Sequence, residues 1–203
     1  HSLRRLKTDY IDLLYLHVWD GRTPVDEILR SFDDLVRAGK ILYVGISDTP
    51  AWQASRMQAI AELRGWSPLV ALQIPYSLAE RTVERDLIPM ASEMGMGVLP
   101  WSPLAGGILS GKYGQSDLGS KPGSASAGLG SRKDINLATG RLTGRSLAIA
   151  TTVKEVAQEI GRTSAQVALA WTLRNPAVVS TIIGVRTFAQ FEDNLAALEL
   201  NLS

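Results

Sequence analysis

Cysteine is absent from the 203 residues. That excludes disulfides and any thiolate metal site, and it fits a reducing, cytoplasmic compartment; no metal is expected. Histidine is almost as scarce, with one at the first position and the other at His17. No apolar run approaches the roughly 20 residues that span a bilayer, and no signal-peptide pattern opens the chain, so no membrane is expected as a partner. An excess of one charge is missing too: 21 Lys and Arg stand against 20 Asp and Glu, a net charge of +1. Without a basic cluster there is no field with which to collect nucleic acid. What remains is an ordinary apolar share, 45%, over a length sufficient for one sizeable core and too short to demand two, which predicts a single domain over 1–203. The first residue is His rather than Met, as in a processed product or a fragment.

Five short runs rich in leucine or β-branched residues read as strands, at 10–17, 41–47, 70–74, 97–101 and 180–185. Helical spacing fills the intervals. Val25, Ile28, Leu29, Phe32, Leu35 and Val36 follow Thr23-Pro24, a helix-start signal, and Gly39 supplies the stop. Further helices are predicted over about 50–64, 82–94, 146–160, 164–173 and 188–200, with Gly65, Gly95 and Gly161 as terminators. Strand followed by helix, repeated, makes right-handed βαβ crossovers and therefore a parallel sheet. Residues 114–144, rich in Gly and Ser, predict a long loop. This α/β alternation is open to two architectures, a doubly wound sheet or a stretch of an eight-stranded barrel. Polar residues gather just past strand ends, at His17, Ser47-Asp48, Gln73, Ser102 and 184–187, and no G-x-G-x-x-G follows any strand. That pattern favours the barrel, whose reactive groups stand at the carboxyl ends of its strands.

Five pieces occur in order along the chain: Asp9-Tyr10-Ile11-Asp12-Leu13-Leu14-Tyr15-Leu16-His17, Gly39-Lys40 through Gly45-Ile46-Ser47, Leu72-Gln73 to Tyr76-Ser77, Trp101-Ser102-Pro103-Leu104 through Gly111-Lys112-Tyr113, and Ile183-Gly184-Val185-Arg186-Thr187 with Gln190, Asp193 and Asn194. Together they resemble the aldo-keto reductases, (β/α)8 barrels that reduce aldehydes and ketones with NADPH. The resemblance implies a parallel (β/α)8 TIM-barrel fold, here about five βα units, the fourth to the eighth, and a small-molecule carbonyl substrate. It implies that His17 orients the carbonyl and supports proton donation, and that Trp19 borders the substrate. Ser47, Asp48 and Gln73 match the group that holds the nicotinamide carboxamide. Asp48 stands where Asn is commoner; a carboxylate still accepts from the amide NH2 but cannot donate to its carbonyl. Trp101 matches the aromatic stacked on the nicotinamide. Ser102, Leu104 and Gly107 resemble the turn around the pyrophosphate, to which Lys112 would add a cation. Gly184, Arg186 and Thr187 resemble the pocket for the 2′-phosphate, where a fork donor suits phosphate oxygens and favours NADP(H) over NAD. Gln190 and Asn194, one helical turn apart, would reach the adenosine.

The same resemblance calls for a proton-donating tyrosine, a lysine that lowers its pKa and an aspartate that holds the lysine, and none of them is matched here. Lys7, Asp9 and Tyr10 enter the first strand at its far end; eight residues at about 3.3 Å put Asp9 roughly 26 Å from His17. Tyr76, just past a strand end, is the better local candidate and is expected to serve loop packing instead. The first three strands of the barrel are expected to be missing, which would leave residues 10–17 as a bare edge open to self-association and the chain alone inactive. A nucleotide-binding regulatory module and a non-functional truncated product are the alternatives.

Overall fold

A computed structural model describes residues 1–118 and 131–202. The chain divides into two compact units, His1–Ile74 with Thr82–Leu99, and Pro75–Arg81 with Pro100–Ser203.

The first unit opens with the short helix α1 (Ser2–Leu6) and continues through β1 (Ile11–Leu16), α2 (Val25–Arg37), β2 (Ile41–Ser47), α3 (Ala51–Arg64), β3 (Leu69–Pro75), α4 (Leu87–Glu93) and β4 (Gly97–Trp101). The strands form one sheet in the order β1-β2-β3-β4, and the register of β1 on β2 and of β2 on β3 is parallel. This is a parallel α/β fold of four strands, consistent with part of a TIM barrel. Three helices stop in the same way. Gly39, Gly65 and Gly95 adopt left-handed φ near 65°, and the next amide closes back on the helix: Lys40 on Leu35, Trp66 on Ala61, Met96 on Ala91, at 2.8–2.9 Å. These are Schellman ends, where glycine takes the left-handed turn without a Cβ penalty.

Alternation along the strands sorts the sheet into two faces. Val44, Ile46, Leu72 and Ile74 lie on one, fully buried with Leu29 of α2 and Ala54, Met57 and Ala61 of α3. Each of the larger chains contributes about 1.5–3 kcal/mol by leaving water. The other face carries Tyr15, Gly45, Ser47 and Gln73, in register as Tyr15 with Gly45 and Ser47 with Gln73. Between α2 and the start of β3, Asp33 accepts from the Ser67 amide at 2.9 Å and hydroxyl at 3.0 Å and pairs with Arg37.

In the second unit the helices are α5 (Arg132–Ala138), α6 (Gly144–Glu159), α7 (Ser164–Leu173) and α8 (Phe188–Leu195). Thr143 caps α6, Thr163 caps α7 and Thr187 caps α8, each hydroxyl accepting an amide of the first turn. Ile108 and Leu109 pack with Leu147, Ala150, Val153 and Ala157 of α6 and Val167 and Ala168 of α7. Asn136 of α5 is fully buried, and its Nδ2 donates to the Gly106 carbonyl at 3.1 Å.

Several expectations change. Residues 180–185 do not form a strand; the Ile182 amide bonds the Pro100 carbonyl at 2.9 Å and no ladder follows. In a parallel ladder the next bond would run from the amide of residue 100 to the carbonyl of Ser180, and proline has no hydrogen to donate. The helix expected over 82–94 is a 3-10 turn, Thr82–Glu84, followed by α4, and that expected over 188–200 ends at Leu195 and continues as a 3-10 turn, Ala196–Glu199. The loop expected at 114–144 contains the turn Gln115–Asp117 and α5, whose Ser131 and Asp134 form a capping box; its residues 119–130 lie outside the described residues.

Candidate functional site

In the first unit the singled-out residues gather at strand exits. His17 follows β1 directly and is exposed. The loop after it is shaped by Asp20, which accepts from the amides of Arg22 and Thr23 at 2.9 Å and from the Thr23 hydroxyl at 2.7 Å. Those bonds, the Arg22 amide's first, lower the Asp20 pKa to about 2. Trp19, half-buried, stands edge-on to Trp52 with ring centroids 5.7 Å apart. Ser47 ends β2 and is buried, while Asp48 beyond it is exposed with φ 42°. Gln73 sits on the same sheet face as Ser47.

That face also carries a residue the sequence reading passed over. Tyr15 lies across Gly45 so closely that a Cβ there would come within 2.5 Å of its ring. Burial pushes the Tyr15 hydroxyl pKa up, partly offset by the Gln73 side chain beside it, although the two do not reach hydrogen-bond geometry. The signal was present: Tyr15 lies two residues ahead of His17, the spacing that puts two side chains on one face of an extended chain. Tyr76, weighed as a local proton donor, is buried, with its ring 5.1 Å from that of Trp171 and its hydroxyl 3.4 Å from the Asn175 amide nitrogen. It is a packing residue.

The second unit holds the remaining candidates on irregular backbone. Ser102 and Ala105 are left-handed without being glycine, at φ 57° and 49°, and Gly106, Gly107 and Gly111 continue the pattern. Such conformations cost about 1–3 kcal/mol in a non-glycine residue and persist where the surroundings impose them. The amides of Ala105, Gly106 and Gly107 bond inward, to the Ser102 carbonyl, the Ser102 hydroxyl and the Leu104 carbonyl. Leu104 packs into the helical core. Trp101 is half-buried, and the Arg141 guanidinium lies 5.3 Å from its ring centroid, a contact across forty residues that no spacing rule announces. Gly184, Arg186 and Thr187 are exposed ahead of α8. The Arg186 amide donates to Gln190 Oε1 at 2.9 Å, and Asn194 is buried. Asp193 ties α8 to α7 through Thr163 and Gln166.

Whether these residues fit a phosphorylated cofactor can be tested at Gly107. A Cβ there would lie 2.6 Å from Lys112 Nζ, so the absent side chain is what lets the ammonium rest against bare main chain. With the amides of Ala105, Gly106 and Gly107 engaged inward, the Lys112 ammonium is the group that suits phosphate oxygens, as a point charge. The residues fit.

The family model described as Aldo/keto reductase family matches residues 1–203. The uncharacterized oxidoreductase YrpG of Bacillus subtilis is 41% identical over 201 residues, 99% of this chain and 57% of its own length. Norsolorinic acid reductase of Aspergillus flavus is 36% identical over 202 residues, 100% of this chain and 48% of its own. The NADP(+) aryl-alcohol dehydrogenase of Phanerodontia chrysosporium is 33% identical over 203 residues, 100% of this chain and 51% of its own. The chain therefore spans about half the length of these relatives. With the family match running from His1 to Ser203, and with parallel strands bearing His17, Ser47 and Gln73 at or next to their exits, this chain belongs to the aldo/keto reductase family.

Proposed function

We propose that the chain carries the histidine and the cofactor-holding residues of an NADPH-dependent reductase of aldehydes or ketones. The observation that supports this most is the Lys112 ammonium, which lies beside the Gly107 turn and 5.1 Å from the Tyr113 ring centroid. NADPH bound there would supply hydride to the carbonyl carbon. His17 orients the carbonyl oxygen and supports its protonation, with Trp19 bordering the substrate. Ser47 and Gln73 hold the nicotinamide carboxamide, and Asp48 accepts from the carboxamide NH2. Trp101 presents a ring face to the nicotinamide, and since Arg141 covers one face, stacking uses the other. Ser102, Leu104, Gly107 and Lys112 take the pyrophosphate. Gly184, Arg186 and Thr187 take the 2′-phosphate, and Gln190 and Asn194 the adenosine.

In this reading the chain belongs to a (β/α)8 barrel as about its last five βα units, and turnover requires a tyrosine, lysine and aspartate that none of its residues matches. NADPH and NADH titrated by fluorescence into the chain test it directly. NADPH is expected to bind about tenfold tighter, a difference near 1.4 kcal/mol, and Arg186→Gln to erase the preference. Equal affinities in the unaltered chain would remove the 2′-phosphate assignment. No NADPH oxidation is expected with reactive aldehydes, and steady turnover lost in Tyr76→Phe would overturn the packing role given to Tyr76.

A further inference from the structure

Asp48 follows directly on Ser47, the β2 residue that stands in register with Gln73. Its φ of 42° is left-handed, and the chain on either side is fixed: Ser47 and Thr49 are buried, and the Thr49 hydroxyl donates to the Ser47 carbonyl at 2.9 Å. Pro50 comes next with φ −56°, its ring setting the direction in which the chain enters α3. Among residues with a polar side chain, Asn and Asp visit the left-handed region most readily. The backbone therefore accepts either, and what aspartate adds at this point is a charge. Asp48 is exposed and already engages a neighbour, yet the two oxygens of a carboxylate offer about four acceptor sites, enough to share.

We propose that Asp48 makes this site discriminate between the two redox forms of the cofactor, in favour of NADP+. This rests on the reductase reading, in which Ser47, Asp48 and Gln73 hold the nicotinamide carboxamide. The oxidised ring carries a positive charge and the reduced ring is neutral, while the phosphates and riboses of the two forms are the same. A carboxylate that accepts from the carboxamide NH2 stands one functional group away from that ring, where a charge pair near a protein surface is felt as about tenfold in binding. Asparagine would hold the amide without making that distinction, and would add a donor for the carboxamide carbonyl. Asp48 exchanges that bond for the preference. A tenfold preference for NADP+ makes the bound couple about 30 mV more reducing than the free one. The site is thereby biased toward reduction of the carbonyl compound and against release of NADP+.

Calorimetric titration of the 203-residue chain with NADP+, NADPH and 2′-phospho-ADP-ribose, which lacks the nicotinamide, needs no turnover. The unaltered chain is expected to bind NADP+ about tenfold tighter than NADPH at low salt, and the ratio to shrink as salt screens the carboxylate. In Asp48→Asn, NADP+ is expected to weaken about tenfold while NADPH holds or tightens through the added donor, and 2′-phospho-ADP-ribose is expected to bind as before. A lesion of the fold would instead weaken all three together, and the ratio in the unaltered chain with its fall in salt would then decide alone. Equal affinities for NADP+ and NADPH in the unaltered chain, or a ratio that survives Asp48→Asn, overturn the proposal and leave the reductase reading in place. Binding of none of the three overturns both.

Discussion

The two units hold their candidate residues in opposite ways. In the first, Ser47 and Gln73 are placed by a regular parallel sheet, at or beside strand ends, with helices packed on the far face. In the second, Ser102 to Lys112 are placed by left-handed turns and short 3-10 segments, stabilised by inward amide bonds and a buried asparagine. The contrast teaches where each part tolerates change. A sheet transmits any added atom to its neighbours in register, while a turn localises the damage to the group it seats.

The sharpest way to break that contrast is Gly45→Val. Its new atoms would enter the Tyr15 ring on the paired strand, and unfolding by denaturant is expected to show a loss of about 3 kcal/mol, at the upper end for overpacking. Wild-type stability in that variant would mean the sheet is no more rigid than the turns. Asp33→Ala comes next. It removes the acceptor of the Ser67 amide, and about 2 kcal/mol is expected to go, read as a lower midpoint at unchanged slope.

Asp33 also sets a pH dependence. Burial raises its pKa, but the bonds from Ser67 and the Arg37 charge outweigh burial and leave it lowered. The folded chain therefore holds the proton less tightly than the unfolded one. The stabilisation is present above the ordinary carboxylate range and is lost as pH falls through the lowered folded value. A melting midpoint that does not fall on acidification in the wild type faster than in Asp33→Asn would contradict the assignment.

Gly107→Ala is a local lesion by comparison. A Cβ at φ 89° displaces Lys112 Nζ, and the expected result is about tenfold weaker NADPH binding, near 1.4 kcal/mol, with little change in unfolding. The smallest effect belongs to Pro100→Ala. Restoring an amide hydrogen should let the Ser180 carbonyl accept, adding about 0.5–1 kcal/mol and slowing exchange of the Ile182 amide.

Much of the first unit was legible because its signals are local. Thr23-Pro24 and Gly39 bracket α2, and residues 41–47 appear as the strand they were read to be. The fifth strand was misread because Ile182, Ile183 and Val185 have the right composition, while the veto comes from Pro100, eighty residues away. Likewise His17, Ser47 and Gln73 follow from strand-end position, but Tyr15 over Gly45 becomes visible only in register, and Arg141 on Trp101 only in three dimensions.

The bond from Asn136 to Gly106 has a consequence for variation in length. It clasps two points thirty residues apart with one buried amide, so the cradle at Gly106 and Gly107 is tied to α5 whatever number of residues runs between them. Closing a loop costs only about 0.6 kcal/mol more each time its length doubles. Insertions after Lys112 and ahead of α5 should therefore leave the turn at Gly106 and Gly107 in place.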